Sequence, residues 1–363
     1  MSFLTAIGTS VPKHEYSLSD FSQWVISTYH GNAAKRKIQF IGNDAGIAKK
    51  HMVIDDFRKG EGNPVLYKKN NPSFYNPSTA ERMGVFLSLA TDLGAKAAWN
   101  CMSKRDLNAK DITHIIAVSC TGMTAPGLEI ELFKRLGLSS NCERFAVNFM
   151  GCYASFHAFK HAKYICDAQP NSIVLIISVE LCSLHFRNDE SNDNLLSTVL
   201  FADGAAACIM ESKPVLNRWH LKWETFSSSL IEQGRNDMGW KIGNQGFEMR
   251  LNKNIPKHIK ENIADAYGDI CRKTGVEPND IVGYAIHPGG KNILKAFEEA
   301  IQCRPSDMQH SYDVLNLYGN MSSATILFVL ESILGKDQPG RYYSAAFGPG
   351  LTVENGIFVH ESA

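Results

Sequence analysis

The chain has 363 residues, 44% of them apolar and 20% charged, with 37 lysines and arginines against 37 aspartates and glutamates. That is the make-up of a globular protein with a substantial core, and its even charge argues against nucleic acid or a membrane surface as a partner. Nine cysteines without a C-x-x-C pair point to reduced thiols and a cytoplasmic location rather than a disulfide framework, and apolar runs such as residues 173–177 are far too short to span a bilayer.

The first residues carry neither the basic segment nor the apolar core of a signal peptide, so none is expected. Residues 3–11 read as a strand closed by Pro12, and a helical pattern with a cap at Leu18 and Ser19 runs to about residue 29. Residues 55–79, with Lys59-Gly60-Glu61-Gly62-Asn63-Pro64 and Asn70-Asn71-Pro72, read as a loop long enough for a lid or entrance. A helix rich in Ala and Leu is expected from residue 79 to about 102.

A duplication follows. Lys110-Asp111-Ile112 opens an apolar strand ending at Ser119-Cys120, and Asn279-Asp280-Ile281 opens another ending at Ile286-His287. Cys152 and Asn320 come next, at nearly equal distances from these starts, with Gly151 matching Gly319 and Ser155 matching Ser323. Each copy then runs into an apolar helix and a strand, at 172–179 and 342–346. The period is far too long for a solenoid, so two duplicated α/β halves about a pseudo-twofold axis are expected. Residues 120, 152, 287 and 320 would then meet at the centre, at strand ends, where α/β folds place ligands. Residues 187–194 read as an exposed loop. The linker falls near Ser212-Lys213-Pro214, which divides the chain into 1–212 and 213–363.

Cys152 stands where an apolar run turns into a helical pattern of Tyr153, Phe156, Phe159, Ala162 and Ile165. A helix N-terminus gathers unpaired N–H groups and the positive end of the dipole, so a cysteine there is a candidate nucleophile. A buried packing cysteine is the plain alternative. His287, before Pro288-Gly289-Gly290, is the candidate base, and Asn320, among small residues, is a candidate donor to a carbonyl oxygen. Singly these read as a core histidine and a capping asparagine; as a trio at matching places of a duplication they read as a site. His157 and His161 lie one helical turn apart without a third ligand, and no metal is expected.

These motifs resemble the type III polyketide synthases, the chalcone and stilbene synthase superfamily, in its microbial form. Gly151-Cys152-Tyr153-Ala154, Ile286-His287-Pro288-Gly289-Gly290, Gly319-Asn320-Met321-Ser322-Ser323-Ala324 and the loop Phe347-Gly348-Pro349-Gly350 carry the likeness, in order and nearly end to end. The resemblance implies a thiolase-like fold layered αβαβα. It implies catalysis by Cys152, His287 and Asn320, with Cys152 held as thiolate by a His287 imidazolium, and iterative condensation of malonyl-CoA onto an acyl-CoA starter. Cyclisation would give an alkylpyrone, alkylresorcinol or related phenol. Phe201 is similar to a gatekeeper between CoA tunnel and cavity, and Met249 stands where a second gate is usually phenylalanine. Cys120, Glu180, Cys182, His185, Ser197, Trp240 and Ser322 match cavity positions. Lys37, of Lys35-Arg36-Lys37, matches a CoA-phosphate contact, but Phe40 and Asp44 follow it where further cations are usual; Lys49-Lys50 is a second basic pair. The CoA thioesters are substrates, and no cofactor is implied. A homodimer is expected, and an acyl carrier protein is an alternative starter donor. The rival activity is a single condensation, as in ketoacyl-carrier-protein synthase III; a catalytically silent binding subunit is a third reading.

Overall fold

The computed structural model describes residues 1–58, 64–67, 69–70, 73–336 and 338–362. Residues 59–63 and 71–72 of the expected entrance loop lie outside these. The first half contributes β1 (Phe3–Ser10), β2 (His14–Ser17), α1 (Leu18–Thr28), α2 (Asn32–Asp44), β3 (Lys49–Met52), β4 (Lys69–Asn70), β5 (Ser73–Phe74), α3 (Thr79–Arg105), β6 (His114–Ser119), α4 (Leu128–Leu136), β7 (Glu143–Asn148), α5 (Ala154–Ala168), β8 (Ile173–Leu181), α6 (Asn192–Leu200) and β9 (Asp203–Glu211). The second contributes β10 (Trp219–Leu230), β11 (Met238–Gly243), β12 (Gly246–Leu251), α7 (Ile255–Thr274), β13 (Ile281–Ile286), α8 (Lys291–Ile301), α9 (Gln309–Tyr318), α10 (Thr325–Leu334), β14 (Gly340–Gly348) and β15 (Thr352–Ser362). No helix among the described residues is long and apolar enough to cross a membrane.

The strands run in the order β7-β6-β8-β9-β1 in one half and β10-β15-β14-β13 in the other. The halves are joined where β1 meets β10 antiparallel, pairing Phe3 with Lys222 and Leu4 with Leu221. Outward from that seam β9 answers β15, β8 answers β14 and β6 answers β13, which is the expected pseudo-twofold relation. Strand alternation makes the layers. In β6, Ile115 and Ala117 pack with the outer helices α3 and α4, while Ile116 and Val118 face the central helices α5 and α10. In β14, Tyr343 and Ala345 take the outer face toward α7 and α8, and Tyr342 and Ala346 the inner. Helix, sheet, helix, sheet, helix is the result. Helix α10 is buried nearly all round, as its unbroken apolar sequence requires.

Several local expectations shift. The cap of α1 is Ser17, whose hydroxyl accepts from the Asp20 N–H at 3.0 Å, one residue before the expected pair. Helix α3 opens on a capping box of Ser78 and Glu81. The stretch expected as an exposed loop is half-buried from Arg187 to Asp189 and already helical from Asn192. Asn320 does not end a strand. It follows α9, and its pairing is an isolated bridge to Phe201, because the second half has a helix where the first has β7.

Candidate active site

Strand β7 stops at Asn148, and Phe149 (φ 59°) and Gly151 (φ 90°) turn the chain through the left-handed region into α5. A Cβ at Gly151 would lie 2.4 Å from Pro349 Cδ, so the loop after β14 rests directly on this turn and admits only glycine. Cys152 lies at the N-terminal end of α5, and its thiol donates to Ser322 Oγ at 3.7 Å. Burial pushes the thiol up to about 12, with the Ser322 and Asn320 hydrogen bonds pulling the other way.

His287 follows β13, anchored by its N–H to the Ala345 carbonyl at 2.8 Å. The residue is buried, and neither ring nitrogen has a hydrogen-bond partner. Burial takes the imidazole down to about 3. Burial thus disfavours the charged form of each, and the thiol's hydrogen-bond partner is Ser322 and not the imidazole. Asn320 is held on both sides of its peptide, by Leu200 O at 3.0 Å and Ala202 N at 2.8 Å. Its Oδ1 accepts the Ser322 N–H at 2.8 Å, which fixes the amide so that Nδ2 is the donor; Nδ2 reaches Gly289 O at 3.2 Å, and its other hydrogen serves the side of Cys152.

Cys152, His287 and Asn320 all line one outer cavity. Its rim carries Lys37, Phe40 and Asp44 of α2, with Lys253 and Lys291 opposite. Lys37 binds Asn192, Asp44 pairs with Lys291 at 2.6 Å, and Phe40 is 76% exposed. Behind lies a narrower inner chamber of about 110 Å³. Cys152, Phe201, Met238 and Met249 line both spaces, so the gate residues stand at the division between them. Cys120, Cys182, His185, Ser197, Trp240 and Ser322 line the inner chamber. His185 is fixed there: Nε2 contacts Thr121 O at 2.7 Å, Nδ1 accepts the Phe247 N–H at 3.1 Å, and burial lowers its pKa to about 3.

One expectation fails on placement, and the basic pair Lys49-Lys50 takes a structural place. Glu180 does not reach the wall. Its carboxylate is buried behind it and accepts from Cys120 N at 3.0 Å, Thr121 Oγ1 at 2.9 Å and Ser323 Oγ, while burial raises it to about 7. Neither Lys49 nor Lys50 serves the rim. Lys49 pairs with Glu15 at 2.8 Å, and Lys50 is fully buried, donating to Thr198 O at 2.8 Å and Val199 O at 3.2 Å at the end of α6. Sequence reasoning missed Met238 as a wall residue, although it alternates with Trp240 on β11. It missed Phe21, Met52, Phe57 and Phe186 of the chamber's lining, which no local pattern links to Cys152.

A doubled α/β fold with a cysteine, a histidine and an asparagine on one buried cavity belongs to the thiolase-like acyltransferases. The family model for the N-terminal domain of chalcone and stilbene synthases matches residues 1–214, and that for the C-terminal domain matches 224–362. The chain belongs to that family, the type III polyketide synthases. It is 30% identical to "Probable polyketide synthase 1" of Dictyostelium discoideum over 97% of its length, spanning 11% of that longer protein. It is 27% identical to "Alpha-pyrone synthesis polyketide synthase-like Pks18" of Mycobacterium tuberculosis, covering 98% of this chain and 90% of that one. Among solved structures, PKS-I of the brown alga Ectocarpus siliculosus superposes with TM-score 0.93 at 25% identity, covering 99% and 98% of the two chains. The C-terminal type III domain of Steely1, a type I/III hybrid from Dictyostelium, gives 0.88 at 26% identity and 99% of each.

Proposed function

We propose that this chain is an iterative synthase that condenses malonyl-CoA onto an acyl-CoA starter carried by Cys152. The observation that carries the reading is the cavity wall itself: a thiol at a helix N-terminus, an unpartnered buried imidazole and an oriented amide face one space.

Cys152 Sγ attacks the starter's thioester carbonyl as its proton passes to His287. The carbon–sulfur bond to CoA breaks, and the leaving thiolate takes that proton, which returns the imidazole to neutral. Malonyl-CoA follows. The neutral imidazole N–H and Asn320 Nδ2 donate to its thioester oxygen while the bond to the carboxylate breaks and carbon dioxide leaves. The low pKa of His287 suits a neutral donor. The enolate carbon then displaces Cys152 from the acyl group, and the lengthened chain on CoA returns to Cys152 for the next round.

Further rounds build a poly-β-keto chain in the inner chamber, which closes to an alkylpyrone or alkylresorcinol; the name of the Pks18 relative supports a pyrone. The sequence likeness to microbial members favours medium or long acyl starters. Lys37 and Lys253 at the rim suit the phosphates of CoA. No metal or redox cofactor enters this scheme. The same reading takes the protein as a homodimer, and the open sheet edge at β7, with Phe145 38% exposed, supports it. The test is a mass-spectrometric screen of malonyl-CoA with acyl-CoAs from acetyl to palmitoyl, with Cys152→Ala as control. Pyrones or resorcinols bearing several extensions are expected. A product of one extension only, or none without a carrier protein, would overturn the reading.

A further inference from the structure

A helix leaves its last four carbonyls without partners inside its own turns, and α6 ends on Ser197, Thr198, Val199 and Leu200. Ser197 O accepts the Phe201 N–H at 3.0 Å, and Leu200 O accepts the Asn320 N–H at 3.0 Å. The two carbonyls between them take Lys50, whose Nζ donates to Thr198 O at 2.8 Å and to Val199 O at 3.2 Å. Lys50 comes from β3 and is wholly buried, its amine 4.3 Å from the centre of the Phe21 ring. Burial draws that amine down to about 7, with the Asp203 carboxylate opposing. A methionine would fill similar space without the cost of burying a charge, so what explains a lysine here is the pair of carbonyls it holds.

The same strand grips both flanks of Asn320. Just after β3, the Val53 N–H donates to Asp203 Oδ2 at 2.7 Å, at the start of β9. Just before it, the Ala48 N–H donates to Asn316 O at 2.8 Å, in the last turn of α9. A Cβ at Gly319 would lie 3.7 Å from Lys50 Cγ, so the lysine stem runs beside the turn that delivers Asn320. Residues 198–203 are thus tied to the β3 segment at both ends, and their middle holds Asn320 through Leu200 O and the Ala202 N–H.

We propose that Lys50 is a positioning residue for the decarboxylation of malonyl-CoA: by holding the carbonyl end of α6 it holds the Leu200–Ala202 clamp, and through the clamp the Asn320 amide. The inference rests on the function proposed above. Its physical basis is that an amide stabilises a developing oxyanion only from a fixed place, and a small displacement of the donor forfeits much of the effect. Cys152 stands on a different helix, so its own reactivity does not pass through Lys50.

The experiment compares the wild type with Lys50→Met, Lys50→Gln, Asn320→Ala and the double variant Lys50→Met/Asn320→Ala, each checked for folding by circular dichroism. The readouts are steady-state carbon dioxide release from malonyl-CoA and the rate of Cys152 alkylation by iodoacetamide. Lys50→Met is expected to lower kcat for release roughly tenfold, with KM within about twofold of the wild type and alkylation unchanged. Added to Asn320→Ala, it is expected to cause no further loss, because both substitutions remove one function. Should Lys50→Met not fold, Lys50→Gln is read by the same criteria. An undiminished kcat, a parallel loss of release and alkylation, or an effect that multiplies that of Asn320→Ala overturns the proposal. Failure of both Lys50 variants to fold makes the residue a prop of the core and overturns it too. A wild type that releases no carbon dioxide would instead remove the synthase mechanism on which the proposal stands.

Discussion

In the first half, β7 leads into Gly151 at φ 90° and then Cys152; in the second, α9 leads into Gly319 at φ 70° and then Asn320. The two turns are the same device, and the serines that follow touch across the axis, Ser155 Oγ donating to Ser323 O at 2.7 Å. Directly after the matching strands β6 and β13 stand Cys120 and His287. The fold thus provides two equivalent pairs of positions and fills them unequally. In the proposed mechanism one half holds the nucleophile, at a helix N-terminus, and the other the base and the oxyanion donor. Duplication supplies the meeting point, and divergence of single residues supplies the division of labour.

Breaking each half separately is the largest test. Cys152→Ala should lower extended product by roughly 10³-fold or more while leaving malonyl-CoA decarboxylation measurable. His287→Ala and Asn320→Ala should each lower decarboxylation itself by about 10²-fold or more. Extended product from Cys152→Ala, or normal carbon dioxide release from both of the others, would merge the roles that the halves are said to divide.

The proton exchange between the halves is tested by the pH profile of Cys152 alkylation. With His287 present, the thiol proton has an acceptor. In His287→Ala that acceptor is gone while burial still disfavours the thiolate, so alkylation should need more alkaline solution than in the wild type. Superimposable profiles would show that His287 is not the acceptor.

The two turns should differ in tolerance. Gly151→Ala puts a Cβ 2.4 Å from Pro349 at φ 90°, and Gly319→Ala puts one 3.3 Å from Ala202 Cβ and Leu200 O at φ 70°. Urea unfolding should show a loss of roughly 3 kcal/mol for the first and about 1–2 kcal/mol for the second. Equal losses would mean that Pro349 yields.

A pH-dependent test concerns Glu180, which ties the Cys120 segment to Ser323 across the two halves. Its carboxyl is raised from 4.5 to about 7 by burial, so the folded state holds a proton that the unfolded chain releases. That contribution is full below pH 4.5 and is lost as pH rises through 7. The stability of the wild type relative to Glu180→Gln should therefore fall across this window, by on the order of 2–3 kcal/mol. A flat difference would place the ionised form in the native state.

Much of the site could be read from the sequence because chemistry and periodicity coincide there. Cys152 marks the change from strand to helix, His287 ends an apolar run before two glycines, and each apolar run became a buried strand or helix. Asn320 was placed at a strand end because the repeat suggested it; the repeat carried its distance but not the fact that α9 had replaced a strand. Glu180 reads as a wall residue through the family likeness alone, and a likeness of sequence does not say which face of β8 meets the cavity. Lys50 shows the same limit from the other side. A lysine beside another lysine reads as surface, and only the carbonyl ends of α6, far away in the chain, explain its burial. The chamber joins Phe21 of α1 and Met52 of β3 to residues well over a hundred positions later, and no local pattern announces it.

The bridge between Phe201 and Asn320 has a consequence for how the enzyme can change over time. Because Asn320 is hydrogen-bonded through its backbone to both neighbours of Phe201, the gate's main chain cannot swing without carrying the catalytic amide with it. On the proposed function, the passage beside Phe201 is then adjusted through its side chain, and across descent through substitution at that position. A lineage can widen or narrow the passage, and so change what it makes, without disturbing the machinery that makes it.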